Sequence, residues 1–588
     1  MAALFTTPKR NDKTSGAHFV EPDVRRRTLL AHGSWRRVTR RIVVGAVCAL
    51  TVSSLLMPSV SFAAEWVNVG GTQYNTAAGD EAGTWAWDGA DDMKLNGYNG
   101  GAIEAAGKLN VSYEGDNIVT NGDGRGIKAK DGANENAELN IQGDASSTLN
   151  VTSSRDAITS VGSINIDGAG TVNATSTEHD AIDAGGDVTI KGSGNVNATG
   201  DSDGIRADGN ITIDNSGTVT AKATEDQGID ANENLIIKGG GKVEASSIKD
   251  NAIWADGNIE ISGGSQVKAS SEEDAAIDGK NSLTVTNASL NASGVGYGIY
   301  VYKGITFDGA TVTVRASAGN DEASALFTDE DDIVIKNGSI VDAFAEGQFS
   351  TAISTRNYYP NEAGGHIYIS DSVVKAIARY VESGSDGPDH YSNDQSGGVI
   401  PEPRGLNIGI FAQTYEGIAP ASISIVRSKL TAEGDTAAIF ALAISEDGKA
   451  IGTIKIEGAP IQTPAGGKII NYRYEEEYGP SISYEAGQTI GTGDTTIDSP
   501  YNEAVAKSTV IMPPEEIKPE EKPGETKPEG SKSESTKTTK TVAVAATGAK
   551  TTGKLAATGD ASNAAIVAAA LAGTAAIAAG AVVSRKRS

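Results

Sequence analysis

"DSDGIRADGNITIDNSGTVTAKATEDQGIDANENLIIKGGGKVEASS" (residues 201–247) states one phrase twice, and the phrase sets the fold. Each copy has three steps. The first is an Ile between small residues, at Ile205 and Ile229. The second is an apolar-x-apolar pair, at Ile211/Ile213 and Leu235/Ile237. The third is Val-x-Ala, at Val219 and Val243. Gly, Asn and Asp separate the steps. Alternation at period two predicts a strand with one side inward and one outward. Strands this short need neighbours, and turn residues at fixed intervals let the chain coil so that each turn pairs with the next. The expected fold is therefore all-β: a parallel β-helix with three short strands per rung.

The phrase extends well beyond the quoted stretch. First-step Ile recurs at Ile158, Ile182, Ile205, Ile229, Ile253, Ile277 and Ile299. Second-step pairs run from Leu109/Val111 to Ile454/Ile456, thirteen in all, 22 to 25 residues apart in the central stretch. The interval more than doubles between Ile369 and Ile423, which predicts a long excursion over 377–405 with Tyr380, Asp386, Asp389, His390 and Tyr391. Open strand edges aggregate, so both ends need covers. Residues 64–100, with Trp66, Trp85 and Trp87, are the expected N-terminal cap and first coil. The repeat domain is 101–458, and 459–511 the expected C-terminal cap.

The termini read as addresses. Arg36, Arg37, Arg40 and Arg41 precede an apolar run, and Ser61-Phe62-Ala63 supplies small residues for cleavage between Ala63 and Ala64. Residues 1–63 are thus an expected secretory signal. They contain Cys48, the only cysteine, so the mature chain has no disulfide and no thiolate metal site. Residues 512–554, rich in Pro, Glu, Lys, Ser and Thr, make an extended spacer. Residues 561–583 are apolar and long enough to cross a bilayer, with a basic tail after them. The segment Leu555-Ala556-Ala557-Thr558-Gly559 resembles a Gram-positive cell-wall sorting signal, with Ala556 where the common form has Pro. That resemblance implies that a sortase cuts between Thr558 and Gly559 and joins Thr558 to peptidoglycan. The membrane would then be met only through the C-terminal segment, before sorting.

Charge narrows the partners. The net charge is −27, and residues 1–63 carry ten Lys/Arg against three Asp/Glu, so the remainder stands at −34. A nucleic-acid binder needs a basic face, and none is expected here. The turn before each of the first six first-step Ile residues carries an acid: Asp156, Asp180, Asp203, Asp226, Asp250 and Asp274. Rungs stack about 4.8 Å apart, and like charges at that spacing repel unless cations lie between them. Calcium, a hard ion taking six to eight oxygens, is the expected cofactor. The competing reading is solvated turn residues, with Asp203 and Asp226 pointing away from the Ile stack.

The residue after each first-step Ile reads Asp183, Arg206, Asp230, an expected cross-rung charge ladder. It continues as Trp254, Asp278, Tyr300, Phe327, Ser354, Phe411 and Phe440. Trp254, Tyr300, Phe327, Phe411 and Phe440 in line would offer ring faces to sugars, unless the excursion or a second chain covers them. No catalytic motif appears, and only His179, His366 and His390 remain after residue 63. Arg155 and Arg206 are the basic residues nearest the acidic turns, as a lyase would require.

With Asp203-Gly204-Ile205 at one turn and Ile259-x-Ile261-x-Gly263-Gly264 at another, residues 100–460 resemble a family of secreted bacterial carbohydrate-binding β-helix proteins. The resemblance implies a polysaccharide-lyase-like fold and binding of calcium and plant-type polysaccharides. The leading expectation is a wall-anchored polysaccharide-binding protein without enzymatic activity. A structural adhesin or stalk with a protein ligand is the alternative, and a polysaccharide lyase the second.

Overall fold

In the rung built from Ile205–Ala207, Ile211–Asn215 and Thr218–Lys222, the residues Ile205, Ile211 and Val219 are fully buried. Each lies in register with its counterparts on the rungs before and after: Ile182 and Ile229, Val188 and Leu235, Val196 and Val243. The chain is a parallel β-helix, seen in a computed structural model. Described are residues 64–130, 137–357, 364–381, 407–415, 421–434, 437–444 and 452–458, and further strands between 461 and 511. The expectations for the signal segment up to Ala63, for most of the excursion, and for the spacer, sorting signal and apolar segment (512–588) lie outside the described residues.

All thirteen second-step pairs fall in one column, in register. The first-step column is longer than the Ile phrase: Ile103 and Ile127 precede it, and Leu326, Ile353, Ile410 and Ile439 continue it. Burial of each inward Ile contributes roughly 1.5–3 kcal/mol. Outward amides add to the stacking. Asn110, Asn140 and Asn165 pass side-chain hydrogen bonds of 2.8 Å from rung to rung, and so do Asn150, Asn173 and Asn197. Such ladders satisfy the same groups on every rung and favour the in-register stack.

The turn from second to third step has a recurring conformation. Its key position lies four residues after the start of the second-step pair and has positive φ on most rungs from Gly168 onward, among them Gly192 at 94°, Asn287 at 47°, Asp371 at 48° and Arg427 at 43°. Gly, Asn and Asp are the usual residues there, and Arg427 departs from them. It is held by a two-fold bond to Asp371 on the previous rung, Nε to Oδ1 at 2.7 Å and a terminal nitrogen to Oδ2 at 2.6 Å. At Gly192 a Cβ would sit 2.2 Å from the carbonyl oxygen of Gly168. Gly192→Ala therefore combines strain of roughly 1–2 kcal/mol with a backbone clash. We expect a loss of at least about 2 kcal/mol, read as a lower urea midpoint at unchanged m-value.

Both ends turn antiparallel. Trp66–Val69 pairs antiparallel with Ile103–Ala106, and Trp85–Trp87 with Asp92–Asn96, which lies parallel to Leu109–Glu114. Trp85 and Trp87 are buried. At the far end Ser508–Ile511, Glu503–Val505 and Thr495–Asp498 run antiparallel against Lys429–Glu433, Ala437–Ile444 and Thr453–Glu457. These strands occupy the edge positions where another parallel strand could add.

The corner from third to first step is where the rungs differ most. It is short through residue 298. Then Thr311–Thr328 and Ile340–Asn357 run straight through it as 18-residue strands. On the next rung the excursion leaves after Val373–Tyr380 and returns at Asn407–Tyr415. Its first residues, through 381, are described, and the rest with Asp386, Asp389, His390 and Tyr391 lies outside the described residues.

Candidate functional site

The third-to-first corner and the outward side of the first-step column form one continuous surface. The corner holds all six predicted aspartates, and they divide into unlike sites. Asp180 Oδ1 accepts the N–H of Asp203 at 2.9 Å, and Asp203 Oδ1 accepts the N–H of Gln227 at 2.8 Å. Asp250 and Asp274 each accept the next residue's N–H, Asn251 and Ala275, at 2.7 Å. Ser247 and Ser271 open these two corners by accepting the N–H three residues on. Much of the Asp content of the corner thus closes turns. Asp203, expected to point outward, is fully buried. This corrects that reading: its carboxylate is a turn cap packed inside the corner.

Only part of the predicted metal column converges. Asp156, Asp180 and Asp183 each place a carboxylate oxygen within 4.8 Å of the others. Asp226, Asp250 and Asp274 stand apart from this group. Asp183 belongs to the charge ladder by its position in the phrase, and nothing in the repeat marks that it also turns towards the corner. Asp156 is buried and paired with Arg125 at 2.6 Å. Burial, with Asp183 beside it, pushes the Asp180 carboxyl up to about 7, and burial also raises Asp183. Three carboxylates, two of them held above the usual range, form a set that a hard cation or protons can neutralise. Arg206 bridges Asp183 at 2.9 Å and Asp230 at 3.7 Å, and also meets Asp208. It is a ladder cation with three carboxylate partners, and so is not the free base that a lyase would use. Arg155 is exposed at the surface.

The column of residues after each first-step position is continuous. Trp254, Asp278, Tyr300, Phe327, Ser354, Phe411 and Phe440 pair in that order on successive rungs. It is not an open strip of ring faces. Phe327 and Phe440 are 3% and 4% exposed, which corrects the expectation that both are free to stack on sugars. The rings stack on one another instead. Tyr300 and Phe327 lie 5.6 Å apart at 13°, and Phe411 and Phe440 5.3 Å apart at 18°. The Arg356 guanidinium stands 4.8 Å over Phe327, and Lys280 5.2 Å over Trp254. The rung spacing that suits backbone pairing also suits ring stacking, so neighbouring rings close each other's faces.

What remains accessible is a mixed patch. Trp254, Tyr297, Tyr300 and Phe411 are half-buried. Tyr300 donates from Oη to Asp329 Oδ2 at 2.9 Å, and Arg356 Nε donates to Asp329 Oδ1 at 3.0 Å. Phe349, on the corner strand flanked by the two ends of the excursion, is 51% exposed. On the second-step face, away from this patch, His366 Nδ1 meets Ser422 Oγ at 2.8 Å. Among the described residues no helix is long and apolar enough to cross a membrane. Comparison of the chain with known protein families, with curated proteins and with solved structures finds no match.

Proposed function

We propose that this protein is a glycan-binding rod displayed on the wall of a Gram-positive bacterium. The signal segment and the Leu555–Gly559 sorting signal would give its route, with sortase and peptidoglycan as partners. The observation that carries the reading is a coincidence on one face. From Trp254 on, the outward column turns from a charge ladder to a mostly aromatic one, and the adjoining corner lengthens from residue 311 onward. Half-buried rings beside an Arg–carboxylate pair, on rigid strands and next to a raised wall, suit the apolar and hydroxyl-bearing sides of a sugar chain. Calcium at Asp156, Asp180 and Asp183 would brace the same corner five rungs before Tyr300.

A screen of the mature chain against plant, mucin and bacterial glycans tests the reading. We expect retention on at least one polysaccharide. Phe411→Ala should weaken it about tenfold, or ~1.4 kcal/mol. No retention on any glycan would sink it. The mutual covering of ring faces favours a second reading in that event, a stalk or adhesin whose ligand is a protein.

A further inference from the structure

Short residues interrupt the aromatic column at two places. Asp278 lies in register between Trp254 on the rung before and Tyr300 on the rung after. Ser354 lies in the same way between Phe327 and Phe411. Where ring follows ring, the spacing is 5.6 Å for Tyr300 and Phe327 and 5.3 Å for Phe411 and Phe440. A missing ring therefore leaves an opening two rungs wide, roughly 10 Å, which holds one ring-thick layer. The two openings differ in what fills them. At Ser354 the chain fills its own: the Arg356 guanidinium lies 4.8 Å over Phe327, and its Nε donates to Asp329 Oδ1 at 3.0 Å. Phe327 and Ser354 are both buried. At Asp278 the two walls and the acid between them are half-buried. Lys280 is exposed beside them, its ammonium 5.2 Å over Trp254 and 2.6 Å from Asp256 Oδ1. Among the described residues the Asp278 carboxyl makes no hydrogen bond or ion pair. A half-buried acceptor of this kind calls for a donor from outside the chain.

We propose that an uncharged sugar residue occupies the opening at Asp278, between Trp254 and Tyr300, with its hydroxyls donating to the Asp278 carboxyl. The proposal rests on the glycan-binding reading and adds to it a subsite and a sugar class. A pyranose is about one ring thick, so its C–H faces meet the two walls while its hydroxyls point to the rim. A carboxyl oxygen accepts from a hydroxyl in either protonation state. Lys280 is exposed, so its ammonium can leave the Trp254 face and donate to a ligand hydroxyl instead.

Charge sets the sugar class. Asp274, Asp250 and Asp256 act on the Asp278 carboxyl, against the single ammonium of Lys280. Burial, with these acids close by, pushes Asp278 up to about 8. A uronate or sulfate brought into the opening would meet the same burial and the same acids. A hydroxyl or acetamido group would meet neither penalty, because it brings no charge and finds an acceptor.

The test is affinity electrophoresis of the mature chain in chelator, so that calcium cannot bridge an acidic sugar to the protein. Galactomannan and mixed-linkage β-glucan are the neutral probes and polygalacturonate the anionic one, beside any glycan that the screen retains. We expect retardation by a neutral polymer and none by polygalacturonate. Asp278→Phe fills the opening at the ring spacing already present between Tyr300 and Phe327. It should leave the melting temperature unlowered and weaken binding by about tenfold or more. Asp278→Ala keeps the opening and removes the acceptor, and should also weaken binding about tenfold; it decides the question if Asp278→Phe melts lower. Unchanged affinity in the folded variant overturns the proposal, and so does polygalacturonate held as well as the neutral polymers. Either result leaves the glycan-binding reading standing. No glycan of any class retained overturns both.

Discussion

Ile229→Ala should lower the stability of the rod by about 2–5 kcal/mol, far more than an outward substitution close by. Ile229 is fully buried and pairs with Ile205 on one side and Ile253 on the other. Removing its outer carbons loses their transfer energy and leaves a cavity that stacked strands cannot close. In a solenoid each rung is held mainly by its two neighbours, so the defect weakens two interfaces at once. We expect a lower urea midpoint, and amide exchange that quickens first around residues 205–255. As a control, Thr212→Ala lies on the outward side of the second-step column and should change stability by about 0.5 kcal/mol or less. Equal effects from the two would show that the interior column does not carry the fold.

The repeat makes this interior legible because its signal is one of pattern. Ile at a fixed phase, pairs at period two and Gly or Asn at the turn are each visible in one rung and repeated in the next. The first-step column is legible beyond the regular phrase through the outward residues that follow it: Phe327, Ser354, Phe411 and Phe440 place Leu326, Ile353, Ile410 and Ile439, although the third-to-first corner is lengthened before the first three of them. The outward order from Trp254 to Phe440 is also readable, since register follows from the stack. Exposure is not. Whether Phe327 shows its face depends on Tyr300 and Arg356 from neighbouring rungs, and a one-dimensional pattern carries no record of that. The aspartates are ambiguous for a similar reason. Asp in a turn is equally suited to capping an amide and to holding a cation, and Asp203 takes the first role while Asp156, Asp180 and Asp183 converge. Asp278 is one acid among many until its register places it between two aromatic residues.

The acidic corner should make stability fall as pH rises, and calcium should reverse that fall. Asp180 is pushed up to about 7 and Asp278 to about 8, from an ordinary value of 3.8. Between those limits the folded chain binds protons that the unfolded chain has released. The unfolding free energy therefore decreases with pH across that window. The favourable contribution is fully present below about pH 4 and is lost as pH passes through 7 to 8. A tenfold difference in proton affinity between folded and unfolded chain corresponds to about 1.4 kcal/mol. Both groups still meet water, which discounts that figure; together they should be worth on the order of 2–4 kcal/mol. Melting in chelator should accordingly give a higher Tm at pH 5 than at pH 8.5, once the carboxylates that gain stability from ion pairs, such as Asp371 with Arg427, are counted against it. A cation shared by Asp156, Asp180 and Asp183 would replace the protons. At pH 8 and a hundredfold excess over Kd, calcium would then add about 2.7 kcal/mol, whereas sodium at equal ionic strength would only screen. Asp180→Asn separates the two effects. It should raise Tm at pH 8 in chelator, because it removes a carboxylate held against its charge, and it should flatten the calcium response. A Tm that is indifferent to calcium but still falls with pH would leave the corner as a proton-holding turn. A Tm that rises from pH 5 to 8 in chelator would mean that the ion-paired carboxylates outweigh the crowded ones.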